Sequence, residues 1–384
     1  MTDDIGLSVT VLRSGAVLVP VLLGGVLWLL VPSRRIRGAA FLATLWNLIA
    51  LLLVNALAVQ QEWWSFGTDG NMWAHVPVDV ILGWATLWGA VPILLGQWVK
   101  PWLTVAVLVV ADVVAMGSLQ PLVTLAPTWW WGEVLAVGVA LLPGVALGVL
   151  TMQVSALRTR TSMQVVLFGV LLVFAVPTVT FVAGGTGWSE QLEGIGGVGD
   201  SLLIQLGLLL VIVALRAVAE FVTVGGGTPF PWDPPTRLVV TGPYAYVANP
   251  MQLSAVALLL VGSALFRDPL LVVAAVVGAA FSAGLAAWHE HSELSRRFGD
   301  AWADYRGNVR DWIPRWSPSP ELPPATLYAS VTCDPCSAVG PWFARRRPVA
   351  LRVVPSEGHP ETLVRVRYEG ATTEAAPPHV SGNP

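Results

Sequence analysis

The sequence predicts an all-α polytopic membrane protein with a small cytosolic α/β segment at its C-terminal end. Three observations predict it. First, 55% of the 384 residues are hydrophobic and only 12% are charged, against about 25% charged in an ordinary soluble domain. So little charge cannot cover a water-soluble fold of this size, and a chain this apolar is not disordered. Second, apolar runs of membrane-spanning length recur as far as about residue 288. Third, the character changes at Ser317, beyond which the chain is polar and rich in proline. The 37 Gly and 29 Pro follow no three-residue period, which excludes a collagen-like chain, and the net charge of −3 gives no reason to expect a nucleic-acid partner. Trp outnumbers Tyr by 19 to 5, in keeping with residues placed at a membrane–water interface.

A helix crossing the hydrocarbon core needs roughly 20 mostly apolar residues. About nine segments qualify: 10–31, 38–59, 77–98, 101–120, 131–152, 163–183, 201–222, 250–266 and 269–288. The fourth contains Asp112. The last two are short, and the Phe266-Arg267-Asp268-Pro269 link between them predicts a tight helical hairpin. Asp3 and Asp4 stand where a secretory signal carries basic residues, and no small-residue cleavage site follows, so the first run is expected to be a retained helix. Arg34, Arg35, Arg37, Lys100, Arg158, Arg160, Arg237, Arg296, Arg297, Arg306 and Arg310 all fall on one side if the N-terminus is outside. Glu62, Asp69, Glu190, Glu193 and Asp200 then face the other side, with Arg13 and Arg267 as exceptions. Basic residues mark cytoplasmic loops. The expectation is therefore an odd number of helices in the inner or plasma membrane, N-terminus outside and C-terminus in the cytosol.

Three regions differ in character. Residues 1–160 are apolar helices whose sequence assigns no role. Asn47, Asn55, Asp79, Asp112 and Glu133 lie near or within their spans and either line a substrate path or cap and pair internally. The internal reading is preferred for Asp79, which follows Pro77 at a helix start. Residues 161–316 combine helices with a Gly/Pro-rich loop and a charged helix. The Gly-rich stretch 184–199 reads as an external loop, because no strand precedes it as a dinucleotide fingerprint requires. Residues 317–384 open with a linker, 317–324, stiffened by proline.

Two short segments carry chemistry. In Thr241-Gly242-Pro243-Tyr244-Ala245-Tyr246-Val247-Ala248-Asn249-Pro250-Met251, Gly242-Pro243 is a turn signal. Asn249-Pro250 is a helix start, with Asn as the cap and Pro in the first turn. The free N–H groups of such an end attract a carboxylate or phosphate. Tyr244 and Tyr246 just before it suit a flat or cationic ligand, though an ordinary capped helix with interfacial tyrosines is the equal alternative. The second segment is Trp288-His289-Glu290-His291-Ser292-Glu293-Leu294 and onward. Leu294, Phe298, Trp302, Tyr305 and Val309 recur at three- and four-residue steps, which predicts one apolar face of a helix leaving or lying along the membrane. Glu293 is expected to pair with Arg297 at i,i+4. Glu290 lacks such a partner, and a carboxylate near the boundary calls for one. His289 and His291 face different sides of a helix, so no metal site is expected.

Taken together these segments resemble the isoprenylcysteine carboxyl methyltransferase and phospholipid methyltransferase superfamily. That family shows a TGPYxYVR(H/N)PMYxG turn, a two-helix hairpin, an acidic pair and then FGxxYxxYxxxVPRWIP. The counterparts here are 241–254, the hairpin, and 298–314, so the resemblance covers about 225–316. It implies methyl transfer from S-adenosylmethionine at the cytosolic membrane face to a lipophilic or small thiol, carboxylate or amine acceptor. It gives Tyr244, Tyr246, Asn249, Pro250, Gln252, Glu290 and Tyr305 as the candidate cofactor-binding set, with Glu290 on the ribose diol or the cofactor ammonium. Glu290 and His291 are the candidate catalytic residues. Three positions depart from the family pattern. Ala248 replaces Arg and so removes a bidentate anion contact. Gln252 and Ser254 replace Tyr and Gly. His291 replaces the second Glu and is a candidate base for an acceptor that must lose a proton.

In the tail, Thr326–Ser330 reads as a strand, followed by Cys333-Asp334-Pro335-Cys336, a helix to about Arg346 and a second strand, 349–354. This order resembles the opening of a thioredoxin-like fold, whole or partial. It makes Cys333 and Cys336 the candidate redox residues and implies a thiol partner. Half a zinc site is the other reading of the two Cys, but His359 and His379 are poorly placed to complete it, so the alternative to the redox module is a non-catalytic tail. Two further readings of the whole chain stay open at this point. One is a membrane reductase using NADPH, since sterol reductases resemble the same hairpin. The other is a non-enzymatic membrane scaffold presenting the thiol tail.

Overall fold

The computed structural model describes residues 3–67, 72–230, 233–319, 325–333, 336–346, 348, 350–358 and 366–369, without the side chains of 3–8, 285–286, 288–291, 336, 344 and 368–369. Contacts divide the chain into two compact units. The first joins Met1–Gly194 to Gly226–Thr236, and the second joins Ile195–Gly225 to Arg237–Pro384.

The first unit contains α1 (Asp3–Leu30), α2 (Arg34–Gln60), α3 (Val78–Gln97), α4 (Pro101–Met116), α5 (Trp129–Met152) and α6 (Leu157–Ala183). Helix α2 is central and packs against both α3 and α5. Ala39, Ala40, Ala43 and Ala50 of α2 meet Ile81, Ala85 and Trp88 of α3 and Ala136 and Ala140 of α5. Small side chains let helix backbones approach closely, which is how apolar helices associate when lipid already satisfies their surfaces. Gly89 marks one close crossing: a Cβ there would meet the Thr44 and Ala43 backbone.

Three of these helices widen to π geometry for one turn, at Thr86–Ala90, Val137–Leu141 and Leu171–Ala175. Each wide turn is followed two residues on by Pro92, Pro143 or Pro177. Proline lacks an N–H and its ring clashes with the carbonyl four residues earlier. A wider turn relieves that clash without ending the helix.

The polar side chains of the spans are mostly paired internally. Arg13 meets Asp79 through two 2.9 Å bonds. Asn47 donates to the Ala43 carbonyl and Asn55 to that of Leu51. The Trp64 indole donates to Asn55, and that of Trp84 to Asp112. The loop Gly226–Thr236 is pinned at two points. Phe230 enters a core with Leu42, Leu147 and Leu167, and Asp233 meets Arg160 at 2.8 Å. Arg160 is only 1% exposed. Strands β1 (Trp64–Phe66) and β4 (Val123–Leu125) pair antiparallel, as do β2 (Met72–Trp73) and β3 (Val76–Pro77). The expected Gly-rich external loop contains a short helix, Trp188–Glu193, whose first turn Glu190 caps from within.

The second unit contains α7 (Val198–Gly225), α8 (Pro250–Phe266), a continuous helix α9 over 270–298, and α10 (Asp300–Asn308). Helix α8 packs against both α7 and α9. The expected hairpin forms: Arg267 ends α8 in the left-handed region (φ 54°), and the Asp268 carboxylate receives the Leu270 N–H at 2.9 Å. Arg267 also reaches Asp200 in the first turn of α7, at 3.2 Å. The apolar stripe expected from Leu294 to Val309 is present, but not as one helix. Gly299, at φ 52°, breaks it into the end of α9 and α10. Leu294, Trp302, Tyr305 and Val309 still converge in one cluster with Ala248.

After residue 319 comes a small sheet in the order β6-β5-β7. Strand β5 (Ala325–Ala329) runs parallel to β6 (Leu351–Pro355) through α11 (Val339–Arg346), and antiparallel to β7 (Val366–Glu369). The strand–helix–strand order matches the expectation at the level of elements.

Among the described residues six helices are long and apolar enough to cross a membrane: Val9–Leu30, Arg34–Gln60, Val78–Gln97, Trp129–Met152, Leu157–Ala183 and Val198–Gly225. Shorter apolar helices, Pro101–Met116, Pro250–Phe266 and Leu270–Gly284, stand where the other three of the nine expected spans fall. Large apolar side chains such as Leu202, Leu208, Ile212, Val107 and Val114 are exposed along these helices. Water does not tolerate apolar faces this extensive, whereas lipid does.

Candidate active site

The site is built on the turn between α7 and α8. Gly242 opens a short 3-10 turn, Gly242–Ala245, at φ 58°. Only glycine adopts that backbone freely. A Cβ at Gly242 would also lie 3.1 Å from the Glu220 carboxyl carbon. Glu220 ends the α-helical part of α7, before its final π turn, and accepts a hydrogen bond from the Thr241 hydroxyl. The ring of Tyr244 is buried near Phe221, with 6.0 Å between centroids. Tyr246 stays 40% exposed.

The chain after α10 closes over this turn like a strap, and its grip is mostly backbone to backbone. Ala248 N–H donates to the Arg310 carbonyl at 2.9 Å. Arg315 N–H donates to the Tyr246 carbonyl at 2.9 Å, and Ser319 N–H to that of Ala245 at 2.8 Å. The Tyr305 hydroxyl donates to the Tyr244 carbonyl at 2.9 Å from a position only 2% exposed. Tyr305→Phe leaves that buried carbonyl without its donor and is expected to cost about 1–3 kcal/mol. Denaturant unfolding of the detergent-purified protein reads this, and an unchanged midpoint would refute it.

Asn249 occupies the cap position of α8 and Pro250 its first turn, as expected. The capping bond itself is absent: the Asn249 amide donates instead to Asp311 at 3.1 Å. Asp311 is held in turn by Arg306 at 2.6 Å. The strap thus holds the Asn249 amide, and the Asn249 side chain does not cap the first turn of α8. Two residues into the helix, Gln252 Oε1 is buried with no hydrogen-bond partner among the described residues. Ala248, where the family pattern has Arg, is buried in the apolar cluster with Leu294 and Trp302.

Glu290 and His291 fall on α9, but their side chains lie outside the described residues. Glu293 pairs with Arg297 at 3.7 Å, as expected, and more closely with Arg296 at 2.7 Å. In the tail, Cys333 is half-buried at the turn after β5, and its N–H donates to Ser330 Oγ at 3.2 Å. Asp334, Pro335 and the Cys336 side chain lie outside the described residues. Glu357 accepts from Ser330, Val331 and Thr332 of the same turn. Its own backbone N–H, and then these donors, hold its carboxyl below the usual range.

Sequence reasoning missed Glu220, Asp311 and the strap carbonyls. A carboxylate closing the long apolar stretch of α7 was the available signal for Glu220. Main-chain partners such as Arg310 and Arg315 leave no signature in residue type.

Residues 197–301 match the family model for phospholipid methyltransferase. The match spans α7, the turn, α8 and α9, and stops short of Tyr305 and the strap. No curated protein and no solved structure matches the chain. Together with the apolar helices, the match supports an integral membrane protein and a membrane methyltransferase.

Proposed function

We propose that the chain transfers a methyl group from S-adenosylmethionine to a lipophilic acceptor, or to a small thiol, carboxylate or amine, at the cytosolic face of the membrane. The observation that supports this best is the start of α8, which the Asn249 side chain leaves uncapped and where Gln252 Oε1 is buried with no hydrogen-bond partner among the described residues. Donors and an acceptor side by side suit the carboxylate and ammonium of an amino-acid cofactor. When bound, the cofactor supplies an electrophilic methyl group on a sulfonium.

In this reading the first-turn N–H groups of α8 hold the carboxylate, replacing the Arg contact that Ala248 gives up. Gln252 accepts from the ammonium. Tyr246 offers an exposed ring, which tolerates positive charge on its face. Tyr244, Tyr305, Asn249 and Pro250 fix the turn, so that donor and acceptor meet in line, the main requirement of a methyl displacement. From the sequence we assign Glu290 to the ribose diol or the ammonium, and His291 to the acceptor's proton.

The test is calorimetric titration of the detergent-purified chain with S-adenosylmethionine and, separately, with NADPH. Binding of the first is expected, and Gln252→Leu is expected to weaken it roughly tenfold, the worth of one hydrogen bond to a charged group. Binding of NADPH alone overturns the proposal.

A further inference from the structure

Away from the turn, the first unit holds an amphipathic groove between α1 and the start of α2. A cavity of about 410 Å³ is lined by Trp28, Arg34, Arg37, Gly38 and Phe41. A second, of about 220 Å³, is lined by Gly24, Gly25, Trp28, Phe41, Thr44 and Ala90, among others. Trp28 and Phe41 line both, so the two form one groove, cationic at one end and apolar at the other. Gly25 makes room for it: a Cβ there would meet nothing within 4 Å. Arg37 is held at the rim, its Nε donating to the Val31 carbonyl at 2.7 Å and its guanidinium carbon 5.9 Å from the Trp28 ring centroid. Among the described residues no acidic side chain pairs with Arg34 or Arg37.

We propose that this groove binds an anionic phospholipid, with the headgroup phosphate on Arg34 and Arg37 and an acyl chain along Gly24, Gly25 and Phe41. Charge complementarity selects the class of ligand. Two guanidinium groups without acidic partners attract an anion. A free phosphate would leave the apolar half of the groove unused. A zwitterionic lipid would bring its own cation to the arginines. The groove is lined only by residues 24–90, all outside the residues that the family match covers, and it stands whether or not methyl transfer does.

The experiment is native mass spectrometry of the full chain released from nanodiscs of equal phosphatidylglycerol and phosphatidylcholine. Retention of phosphatidylglycerol in preference to phosphatidylcholine is expected, and millimolar inorganic phosphate should not displace it. Arg34→Gln with Arg37→Gln should weaken retention roughly thirtyfold, about 2 kcal/mol at about 1 kcal/mol for each basic group. Gly25→Leu, which fills the groove at a position with open space, should also abolish retention. Arg35→Gln removes the same charge from a neighbouring position that does not line the cavity, and should change nothing. Equal retention of the two lipids, displacement by phosphate, full retention in Gly25→Leu, or equal losses in Arg34→Gln and Arg35→Gln would each overturn the proposal.

Discussion

Asp233→Ala is expected to destabilise the first unit by about 3–5 kcal/mol, the usual cost of stranding one member of a buried ion pair. Arg160 is 1% exposed, and Asp233 is its ion-pair partner at 2.8 Å. Among the described residues no other carboxylate pairs with Arg160, and Arg160 Nε and Nη1 already lack hydrogen-bond partners there, as do both amide atoms of the buried Gln164 one turn on. The nearby Arg35 adds like charge. The cost falls on a stability that for a whole domain is only about 5–15 kcal/mol. Unfolding in detergent reads it directly. The double variant Arg160→Met with Asp233→Leu removes both charges and should recover most of the loss, because the penalty belongs to the unpaired charge. A single variant as stable as the parent would refute the argument.

On the proposed reading, Gly242→Val is expected to weaken S-adenosylmethionine binding sharply with a smaller loss of stability. Two effects combine. A β-branched residue at φ 58° is a steric outlier, and left-handed backbone costs an L-residue about 1–2 kcal/mol. The new side chain would also press on the Glu220 carboxyl group, which receives the Thr241 hydroxyl. The turn cannot then present Tyr246 and the start of α8 as it does now. Titration with S-adenosylmethionine should show at least a roughly tenfold loss, while unfolding should shift by only about 1–2 kcal/mol. Gly242→Ala should lie between the parent and Gly242→Val in both measurements. Unaltered binding by Gly242→Val would show that the turn does not serve the cofactor.

What was legible in the sequence is what short-range pattern encodes. The stripe Leu294, Trp302, Tyr305 and Val309 was readable from its spacing, and it converges as expected. The break at Gly299 was not, since glycine within a helical pattern signals either an interruption or nothing. Gly242-Pro243 and Asn249-Pro250 announced a turn and a helix start. That Asn249 would abandon its cap for Asp311 was not legible, because the two are 62 residues apart. The pairing of Arg160 with Asp233 was hidden for the same reason: the positive-inside pattern treated that arginine as a solvated loop charge. The nine apolar segments were all found as helices, but among the described residues only six are both long and apolar enough to span. Hydropathy marks where a helix is apolar more readily than how far it runs before a turn or a kink.

The strap has a consequence for how this part of the chain can vary. Its three main-chain bonds, from Ala248 to Arg310, Tyr246 to Arg315 and Ala245 to Ser319, are indifferent to the side chains at either end. Point substitutions there can accumulate without loosening the hold, provided no proline removes the donor at Ala248, Arg315 or Ser319. Chain length is another matter. One residue inserted or deleted between Arg310 and Ser319 puts every later donor out of step with its carbonyl. Among relatives, this stretch should drift in composition while keeping a fixed count of residues.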